Sequence, residues 1–338
     1  MSLEIDIIQF LTLNNTMPVI DVRSPAEYHK GHIPGSINIA LFSDEERVKI
    51  GTSYAKRGKE ESFLLGLEII GPKLKHFASK ALDIAVDKKI LVHCWRGGMR
   101  SNSMAWLFEQ MGINTYRLRG GYKSYRRYAF EWFNKQPGII VLGGMTGTGK
   151  TEILKEIKRS GQQVLDLEAI ANHKGSAFGG IGQLSQPSQE QFENNLFTEL
   201  QSFDYGQTIW VEDESLSIGR VQLPKQWFEY MLQSKVICVW LDKETRIRRL
   251  IEEYAGFSSN LLAESICKIE KKLGGDNTKA AIDALSMGNY YKVAEITLRY
   301  YDKAYQKHLA GRPQENIINH NPLLNLPNEI ANEIIRLI

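Results

Sequence analysis

The first candidate for chemistry in this sequence is a cysteine between a buried strand and a helix. The apolar run 90–92 predicts the strand, and residues 103–111 have the spacing of an amphipathic helix. The first N–H groups of a helix lack an internal partner, so this position favours both a bound anion and the thiolate form of Cys94. We therefore expect Cys94 to be a nucleophile, although a free cysteine is more commonly a buried structural residue.

The residues that follow Cys94 are suited to binding a tetrahedral anion. Gly97 and Gly98 permit a tightly curled loop, and Arg100 supplies a planar fork of donors. Five residues separate Cys94 from Arg100, which is the spacing of the His-Cys-x5-Arg-Ser signature of cysteine phosphatases and suits an anion of phosphate size. The predicted anion-binding residues around Cys94 are Trp95, Arg96, Gly97, Gly98, Met99 and Arg100.

A second glycine-rich loop follows an apolar strand predicted at 139–142. Residues 144–151 read Gly-Met-Thr-Gly-Thr-Gly-Lys-Thr, a complete Walker A motif, and a predicted helix follows at 152–159. Backbone N–H groups of such a loop wrap a phosphate, while Lys150 neutralises charge and Thr151 is suited to ligating Mg²⁺. The motif specifies a diphosphate or triphosphate without specifying a nucleoside. The predicted diphosphate-binding residues are Gly144, Thr146, Gly147, Thr148, Gly149, Lys150 and Thr151.

Carboxylates end two further predicted strands, within 164–168 and 208–215. In open parallel sheets the carboxyl ends of the strands lie beside the ligand site. The candidates for a Mg²⁺ ligand or a general base are therefore Asp166, Glu212 and Asp213. An equally good interpretation is that they are solvated charges without a catalytic role, because charged residues are common at strand ends. The glycine-rich segment 173–182 is either a flap over the phosphate site or a surface loop.

Two groups of basic residues lie on predicted helices. Arg246, Arg248 and Arg249 are interpreted as a solvated basic face in preference to lid residues that reach the phosphates. After the short strand at 115–118, basic residues alternate with tyrosines, which suits RNA binding, although a helix with a solvated basic face has the same pattern. The candidate RNA contacts are Arg119, Lys123, Arg126 and Arg127.

Composition excludes several classes of protein. Three widely spaced cysteines, and no Cys/His cluster with zinc-ligand spacing, argue against a disulfide framework and a zinc site. No apolar run approaches membrane-spanning length, and the first residues lack the pattern of a signal peptide, so we expect a cytoplasmic protein with no membrane partner. The net charge of +3 does not by itself indicate a nucleic-acid partner.

The N-terminal part of the chain resembles a rhodanese domain. Residues 21–28 read Asp-Val-Arg-Ser-Pro-Ala-Glu-Tyr, residues 31–38 read Gly-His-Ile-Pro-Gly-Ser-Ile-Asn, and Cys94 follows later in the chain. The resemblance implies a cysteine that carries sulfur or selenium. The five residues between Cys94 and Arg100 depart from the four that are found in many single-domain sulfurtransferases.

The two loops, together with the segments 120–126, 173–179 and 211–215, resemble the bacterial tRNA 2-selenouridine synthase family through both domains. The resemblance implies an α/β fold with an N-terminal rhodanese-like domain and a P-loop NTPase-like parallel-sheet domain that has a helical C-terminal extension. We expect the rhodanese-like domain at 1–133, a linker at 134–138 and the P-loop domain at 139–250. The helical extension, 251–338, is expected to pack on the P-loop domain.

The same resemblance implies a transferase that converts wobble 2-thiouridine of tRNA to 2-selenouridine. The family attaches a geranyl group to the sulfur from geranyl diphosphate, then replaces the thiogeranyl group with selenium from selenophosphate. By this resemblance the loop at Lys150 binds the geranyl diphosphate, with Mg²⁺ as an optional ion. The Cys94 loop binds selenophosphate, or Cys94 carries selenium as a selenyl-sulfide. The implied partners are the anticodon region of a tRNA and an enzyme that supplies selenophosphate.

Three other functions are compatible with the same residues. The first is a cysteine-dependent phosphatase or sulfurtransferase coupled to a P-loop kinase. The second is a P-loop kinase with a regulatory rhodanese module, whose ATP turnover would not depend on Cys94. The third is a tRNA-binding module without catalysis, whose function would survive the loss of Cys94.

Overall fold

The structure is a computed structural model that describes residues 2–338. These residues form two compact units. The division falls between Trp132 and Phe133. Each unit is built on a five-stranded sheet whose strands all run parallel. The predicted α/β fold class with two parallel-sheet domains is confirmed.

The first unit has its strands in the sheet order β1-β5-β4-β2-β3. These strands are β1 (Leu3–Ile5), β2 (Val19–Asp21), β3 (Ile37–Asn38), β4 (Lys89–His93) and β5 (Asn114–Leu118). The helices are α1 (Ile7–Asn14), α2 (Pro25–Lys30), α3 (Asp44–Arg57), α4 (Lys59–Ile70), α5 (Leu74–Ile84), α6 (Met99–Gln110) and α7 (Gly121–Trp132).

Strand β4 lies at the centre of this sheet and pairs with β2 on one side and β5 on the other. Ile90, Leu91 and Val92 are fully buried on it, as a continuous apolar run predicts for a strand covered on both faces. Because Phe108 of α6 packs in the same core, the turn between β4 and α6 is held at both ends. That turn carries Cys94.

The second unit has its main sheet in the order β12-β11-β6-β8-β7, with β9 and β10 forming a separate antiparallel pair. The strands are β6 (Ile139–Gly144), β7 (Gln163–Leu165), β8 (Ile209–Glu212), β9 (Ser217–Ile218), β10 (Val221–Gln222), β11 (Lys235–Val239) and β12 (Ile317–His320). The helices are α8 (Lys150–Arg159), α9 (Leu167–Ala171), α10 (Gln189–Ser202), α11 (Lys225–Gln233), α12 (Lys243–Tyr254), α13 (Ser259–Lys268), α14 (Glu270–Leu273), α15 (Gly275–Ser286), α16 (Tyr290–Ala310) and α17 (Pro327–Ile335).

The C-terminal segment is part of the second unit's core. Helices α12–α16 leave the sheet after β11, and the chain then returns as β12, which pairs in parallel with β11. Ile330 and Ile334 of α17 are fully buried in one cluster with Ile153 and Ile157 of α8. The segment predicted as a helical extension therefore also contributes an edge strand. In residues 2–338, no helix combines the length and apolar character needed to cross a bilayer.

Ile334→Ala is expected to destabilise the second unit by about 2–5 kcal/mol, because it leaves a cavity between α17 and the sheet. The measurement is the free energy of unfolding in urea, with hydrogen exchange of the β6 backbone amides as the readout that reports on the second unit. Leu337→Ala, at a position 48% exposed, is the matched control and is expected to change stability by less than about 0.5 kcal/mol. Equal losses in the two variants would contradict the packing of α17 described above.

Candidate functional site

Cys94 lies at the carboxyl end of β4, at the start of a short loop (residues 94–98, the Cys94 loop) that leads into α6. Its side chain is buried, and its Sγ lies 3.3 Å from the hydroxyl of Ser101 in the first turn of α6. The same hydroxyl lies 3.0 Å from the carbonyl of Gly98. The Ser101 hydroxyl donates its one hydrogen to Gly98 here, so donation to a thiolate at Cys94 would require that hydrogen to turn away from Gly98.

A second helix begins against the Cys94 loop. The amides of Tyr122 and Lys123, in the first turn of α7, donate to the carbonyls of the first two loop residues at 2.8 and 2.9 Å. Gly121 (φ +60°) and Gly97 (φ +69°) make this close approach possible. A Cβ at Gly97 would lie 2.9 Å from the carbonyl oxygen of Leu118, so a side chain there would push the two segments apart.

A buried layer of charge supports the Cys94 loop. Arg23 donates to both carboxylate oxygens of Asp21, at 2.6–3.0 Å, and stacks 3.8 Å above the ring centre of Tyr122. His93 Nε2 lies 3.7 Å from the same carboxylate. Burial alone would raise the pKa of Asp21, but His93 and Arg23 outweigh it and hold that pKa below its ordinary value. Burial lowers the pKa of His93, and the charge of Asp21 opposes this shift.

Arg100, the predicted fork for the anion, is held by a carboxylate. Its two terminal nitrogens donate to the two oxygens of Glu27 at 2.5 and 3.2 Å. Burial acts to raise the pKa of Glu27, but the hydrogen bonds and charge of Arg100 bring it below its ordinary value. An anion that enters the loop must therefore share Arg100 with Glu27, or displace Glu27 from Arg100.

The other predicted residues of the first unit are more open to solvent. Trp95 is half-buried and packs against Tyr122 at 5.8 Å between ring centres, whereas Arg96 and Met99 are exposed. Of the candidate RNA contacts, Arg119, Lys123 and Arg127 are exposed, and Arg126 lies 4.7 Å above the ring of Phe130. Among these four candidates, Lys123 contacts the Cys94 loop through its backbone amide, which donates to the carbonyl of Trp95. Whether these residues bind RNA stays a prediction.

The predicted phosphate loop (residues 144–151, the P-loop) lies between β6 and α8. Gly147 (φ +85°) and Gly149 (φ +79°) have the left-handed backbone that such a turn requires. Lys150 Nζ donates to the carbonyl of Gly144 at 3.1 Å, so its ammonium bends back over the loop. Thr151 donates its hydroxyl hydrogen to Glu168 at 3.0 Å.

Two arginines of α12 bind the outer side of the P-loop. Arg246 donates to the carbonyl of Thr146 at 3.2 Å, and Arg249 donates to that of Thr148 at 2.6 Å. These two bonds fix the carbonyls of the loop, while the amide of Thr148 donates within the loop to the carbonyl of Met145 at 3.1 Å. Arg246 is only 4% exposed, so the prediction of a solvated basic face is wrong for this residue, whereas the side chain of Arg248 is 65% exposed.

The three acids predicted as Mg²⁺ ligands or bases all have protein partners. Asp166 caps α9, and the buried Glu212 accepts a hydrogen bond from the amide of Leu167; both bonds are 2.7 Å long. Burial, together with the charges of Asp166 and Glu168, raises the pKa of Glu212 well above its ordinary value. Asp213 pairs with Arg312 at 2.5 Å and with His308 at 3.0 Å. These contacts outweigh burial and lower the pKa of Asp213.

Two acids that sequence reasoning did not single out line a cavity together with Lys150: Glu168 and Glu214. Burial raises the pKa of Glu168, and Lys150 and Thr151 oppose the shift. Burial and the charge of Glu168 raise the pKa of Glu214 to about 8. Both residues lie in the predicted acidic segments, but the sequence alone does not tell which of several neighbouring carboxylates turns toward the loop.

The cavity has a volume of about 330 Å³ and two chemically different parts. One part is formed by the P-loop, including Gly147, Gly149, Lys150 and Thr151. The other is walled by apolar and aromatic residues of α12, α13, α16 and the segment 173–182. This apolar lining consists of Phe178, Leu250, Ile251, Tyr254, Ala255, Leu262, Tyr290, Val293, Ala294, Tyr300, Tyr301 and Ala304.

The glycine-rich segment 173–182 forms one side of this cavity. Its Lys174 pairs with Glu253, and the amide of Ala177 donates to the hydroxyl of Tyr301 at 3.2 Å. A Cβ at Gly175 would lie 2.5 Å from a carboxylate oxygen of Glu214, so only glycine fits there. Of the two predicted interpretations, these contacts favour a flap beside the phosphate site.

Comparison with known proteins finds similarity over both units. A family described as "tRNA 2-selenouridine synthase AAA domain" matches residues 137–323, and one described as "Rhodanese-like domain" matches residues 9–128. A "tRNA 2-selenouridine synthase" of Shewanella woodyi is 35% identical over 338 residues, covering 89% of this chain and 90% of that protein. One from Sulfurovum sp. is also 35% identical, covering 87% and 89%.

The raised pKa of Glu214 gives the stability of the second unit a defined pH dependence. Between the ordinary pKa of 4.5 and about 8, the folded chain holds a proton on Glu214 that the unfolded chain has released. Stability is therefore lost as pH rises through this window. Glu214→Gln removes this titratable group and with it the loss of stability. The free energy of unfolding of the variant minus that of the wild type is therefore expected to increase from about pH 5 to about pH 8.

The measurement for this prediction is urea unfolding of both proteins at several pH values across the window. Glu252→Gln, which replaces an exposed glutamate of α12, is the control and is expected to show a flat difference. A flat difference for Glu214→Gln as well would contradict the buried, protonated carboxyl.

Proposed function

The chain belongs to the tRNA 2-selenouridine synthase family, and from that premise we propose that it converts wobble 2-thiouridine of tRNA to 2-selenouridine in two steps. First, the second unit transfers a geranyl group from geranyl diphosphate to the sulfur. Second, the Cys94 loop uses selenophosphate to replace the thiogeranyl group with selenium. The observation that carries the proposal is a P-loop that opens into an apolar, tyrosine-rich cavity, which suits a prenyl diphosphate.

In the first step, the 2-thiouridine sulfur attacks the first carbon of the geranyl group. The carbon–oxygen bond to the diphosphate breaks, the diphosphate leaves with the bonding electron pair, and the base loses its N3 proton. The P-loop N–H groups and Lys150 stabilise the charge that develops on the leaving diphosphate. No nucleotide hydrolysis is needed for this step.

A diphosphate carries two or three negative charges, so it binds beside Lys150 only if the neighbouring acids, Glu168 and Glu214, do not repel it strongly. Glu214, with a pKa of about 8, is mostly neutral at pH 7, so a proton already reduces the negative charge there. Glu168 remains beside Thr151 and can accept its hydroxyl hydrogen. The polar part of the cavity therefore has fewer negative charges than its acids suggest.

Magnesium fits the polar part of this cavity when a diphosphate is present. Among residues 2–338, no group of three His, Cys, Asp or Glu side chains is placed to hold a metal ion by itself. Mg²⁺ in phosphate sites is, however, usually held by one or two protein oxygens together with phosphate oxygens and water. Thr151 and Glu168 would supply those oxygens, and a bound ion would neutralise charge on the diphosphate.

In the second step, the Cys94 thiolate attacks the phosphorus of selenophosphate, and the phosphorus–selenium bond breaks to release hydrogen selenide. The selenide displaces geranyl thiolate from the base, and water then hydrolyses the phosphocysteine to phosphate. This sequence is redox-neutral, whereas formation of a selenyl-sulfide from selenophosphate would need a two-electron oxidant. The five residues between Cys94 and Arg100, and the Ser101 hydroxyl 3.3 Å from the sulfur, support this role.

The tRNA is proposed to bind through its anticodon region to exposed basic residues of the first unit. Arg119 and Lys123 lie next to the turn that contacts the Cys94 loop, and Arg126 and Arg127 continue along α7. An enzyme that makes selenophosphate is the proposed supplier of the second substrate. Three free cysteines in residues 2–338 support the proposed cytoplasmic location.

Cys94→Ala is expected to retain geranyl transfer and lose selenium insertion, because only the second step needs the thiolate. Lys150→Ala is expected to lose geranyl transfer by at least about 100-fold, the usual cost of removing a group that stabilises developing charge. The measurement is mass spectrometry of nucleosides from 2-thiouridine-containing tRNA after incubation with both donors. S-geranyl-2-thiouridine should accumulate with Cys94→Ala.

Cys267→Ala and Lys155→Ala, at exposed positions outside both loops, are the matched controls and should behave as the wild type. The reverse assignment, with geranyl transfer lost in Cys94→Ala, would overturn the proposal. Cys94-dependent hydrolysis of a phosphate ester without any nucleoside product would instead indicate a cysteine phosphatase.

A further inference from the structure

The apolar part of the cavity follows one face of α16. The lining residues of this 21-residue helix recur at intervals of three and four, so they form a single stripe. Val293 and Ala294 of this stripe also belong to buried core clusters, so the stripe is anchored in the core while it lines the cavity. The stripe consists of Tyr290, Val293, Ala294, Thr297, Tyr300, Tyr301, Ala304, Tyr305 and His308.

The C-terminal third of α16 is fixed beside the P-loop. Asp302 pairs with Arg246 at 2.7 Å, and Arg246 donates to the P-loop carbonyl of Thr146 at 3.2 Å. The hydroxyl of Tyr305 lies 3.5 Å from Cys238 on β11, the strand next to β6. Residues of α16 therefore lie further from the phosphate end of the cavity as their numbers decrease from Asp302.

The rise per residue of α16 allows distances along the cavity to be compared with the length of a prenyl chain. At about 1.5 Å per residue, Thr297 lies roughly 8 Å and Ala294 roughly 12 Å from the level of Asp302. Beyond them lie Val293 and Leu262, which also line the cavity, are 8% and 3% exposed and belong to one core cluster. A ten-carbon geranyl group with bonds of about 1.5 Å extends roughly 9 Å.

The two smallest buried residues of the stripe, Ala294 and Thr297, lie between Val293 and the level of Asp302. Ala294 has no side chain beyond Cβ, and Thr297 uses its hydroxyl to donate to the carbonyl of Val293 at 2.9 Å. Neither residue therefore offers an uncompensated polar group to a hydrocarbon chain. A larger side chain at either position would fill the space that the chain needs.

We propose that this face of α16 sets the length of the isoprenoid chain that the enzyme accepts, with Thr297 and Ala294 as the length-determining residues. The proposal rests on the proposed geranyl transfer. A bulky residue at Thr297 meets the distal half of a geranyl chain but not the shorter dimethylallyl chain. A bulky residue at Ala294 lies near or beyond the end of a geranyl chain and excludes it less.

The test compares transfer of dimethylallyl and geranyl groups from their diphosphates to 2-thiouridine-containing tRNA. Thr297→Phe is expected to raise the dimethylallyl-to-geranyl ratio of kcat/KM at least about tenfold, the discrimination that a few methylenes provide in an apolar pocket. Ala294→Phe should raise it by a smaller factor. Val293→Ala, which enlarges the apolar part of the cavity beyond Ala294, should increase transfer from farnesyl diphosphate relative to geranyl diphosphate.

Ala280→Phe, the same replacement at an exposed position of α15, is the control and should leave all ratios unchanged. Circular dichroism establishes that each variant is folded, and Thr297→Leu and Ala294→Leu replace any phenylalanine variant that is not. If the wild type transfers no prenyl group of any length, the proposed function fails. If the wild type transfers geranyl but Thr297→Phe and Thr297→Leu reduce all donors in parallel, the length proposal is overturned while the function stands.

Discussion

The structure of the second unit depends on buried charge pairs that bind its C-terminal segment to the phosphate site. Asp213, at the end of β8, pairs with Arg312, and both side chains are fully buried. Arg246 is buried between Asp302 and the P-loop. Removing one partner of such a pair usually costs about 3–5 kcal/mol, because a charge is left buried without compensation. These contacts therefore fix α16 beside the P-loop and create the cavity between them.

The fixed position of α16 determines which ligand suits the P-loop. A phosphate-binding loop recognises only the phosphates, so the rest of the cavity must select what is attached to them. Here the walls contributed by α12, α13 and most of α16 are largely apolar and aromatic, and some of their tyrosine hydroxyls have protein partners, as Tyr301 does with Ala177. That lining explains why a P-loop in this chain is proposed to bind a prenyl diphosphate without nucleotide hydrolysis.

In the first unit, too, buried charged side chains support a loop, which is proposed to bind an anion. Asp21 and Arg23 form a paired layer beneath Cys94, and the start of α7 holds the loop by hydrogen bonds to its carbonyls. The loop can then present N–H groups and Ser101 to a ligand. Arg100 pairs with Glu27, so a bound anion would change the contacts of this basic group.

The sequence predicts both loops because their chemistry is local. A strand, a glycine-rich turn and a helix follow one another directly around Cys94 and Lys150, and the motifs include their own spacing. The contacts of Asp213 could not be predicted in this way, since Arg312 lies 99 residues further along the chain. The same reason applies to Glu168 and Glu214, whose orientation depends on the ends of two strands. Strand β12 was missed because it is a short edge strand of mixed polarity.

The central claim is that the second unit recognises a diphosphate and a prenyl chain together. Its most direct test is calorimetric binding of geranyl thiolodiphosphate, a poorly reactive analogue, to the full chain, compared with inorganic diphosphate and ATP. The account predicts that the prenyl analogue binds at least about tenfold more tightly than inorganic diphosphate, with a negative heat-capacity change from burial of apolar surface. Equal or tighter binding of inorganic diphosphate or ATP would contradict it.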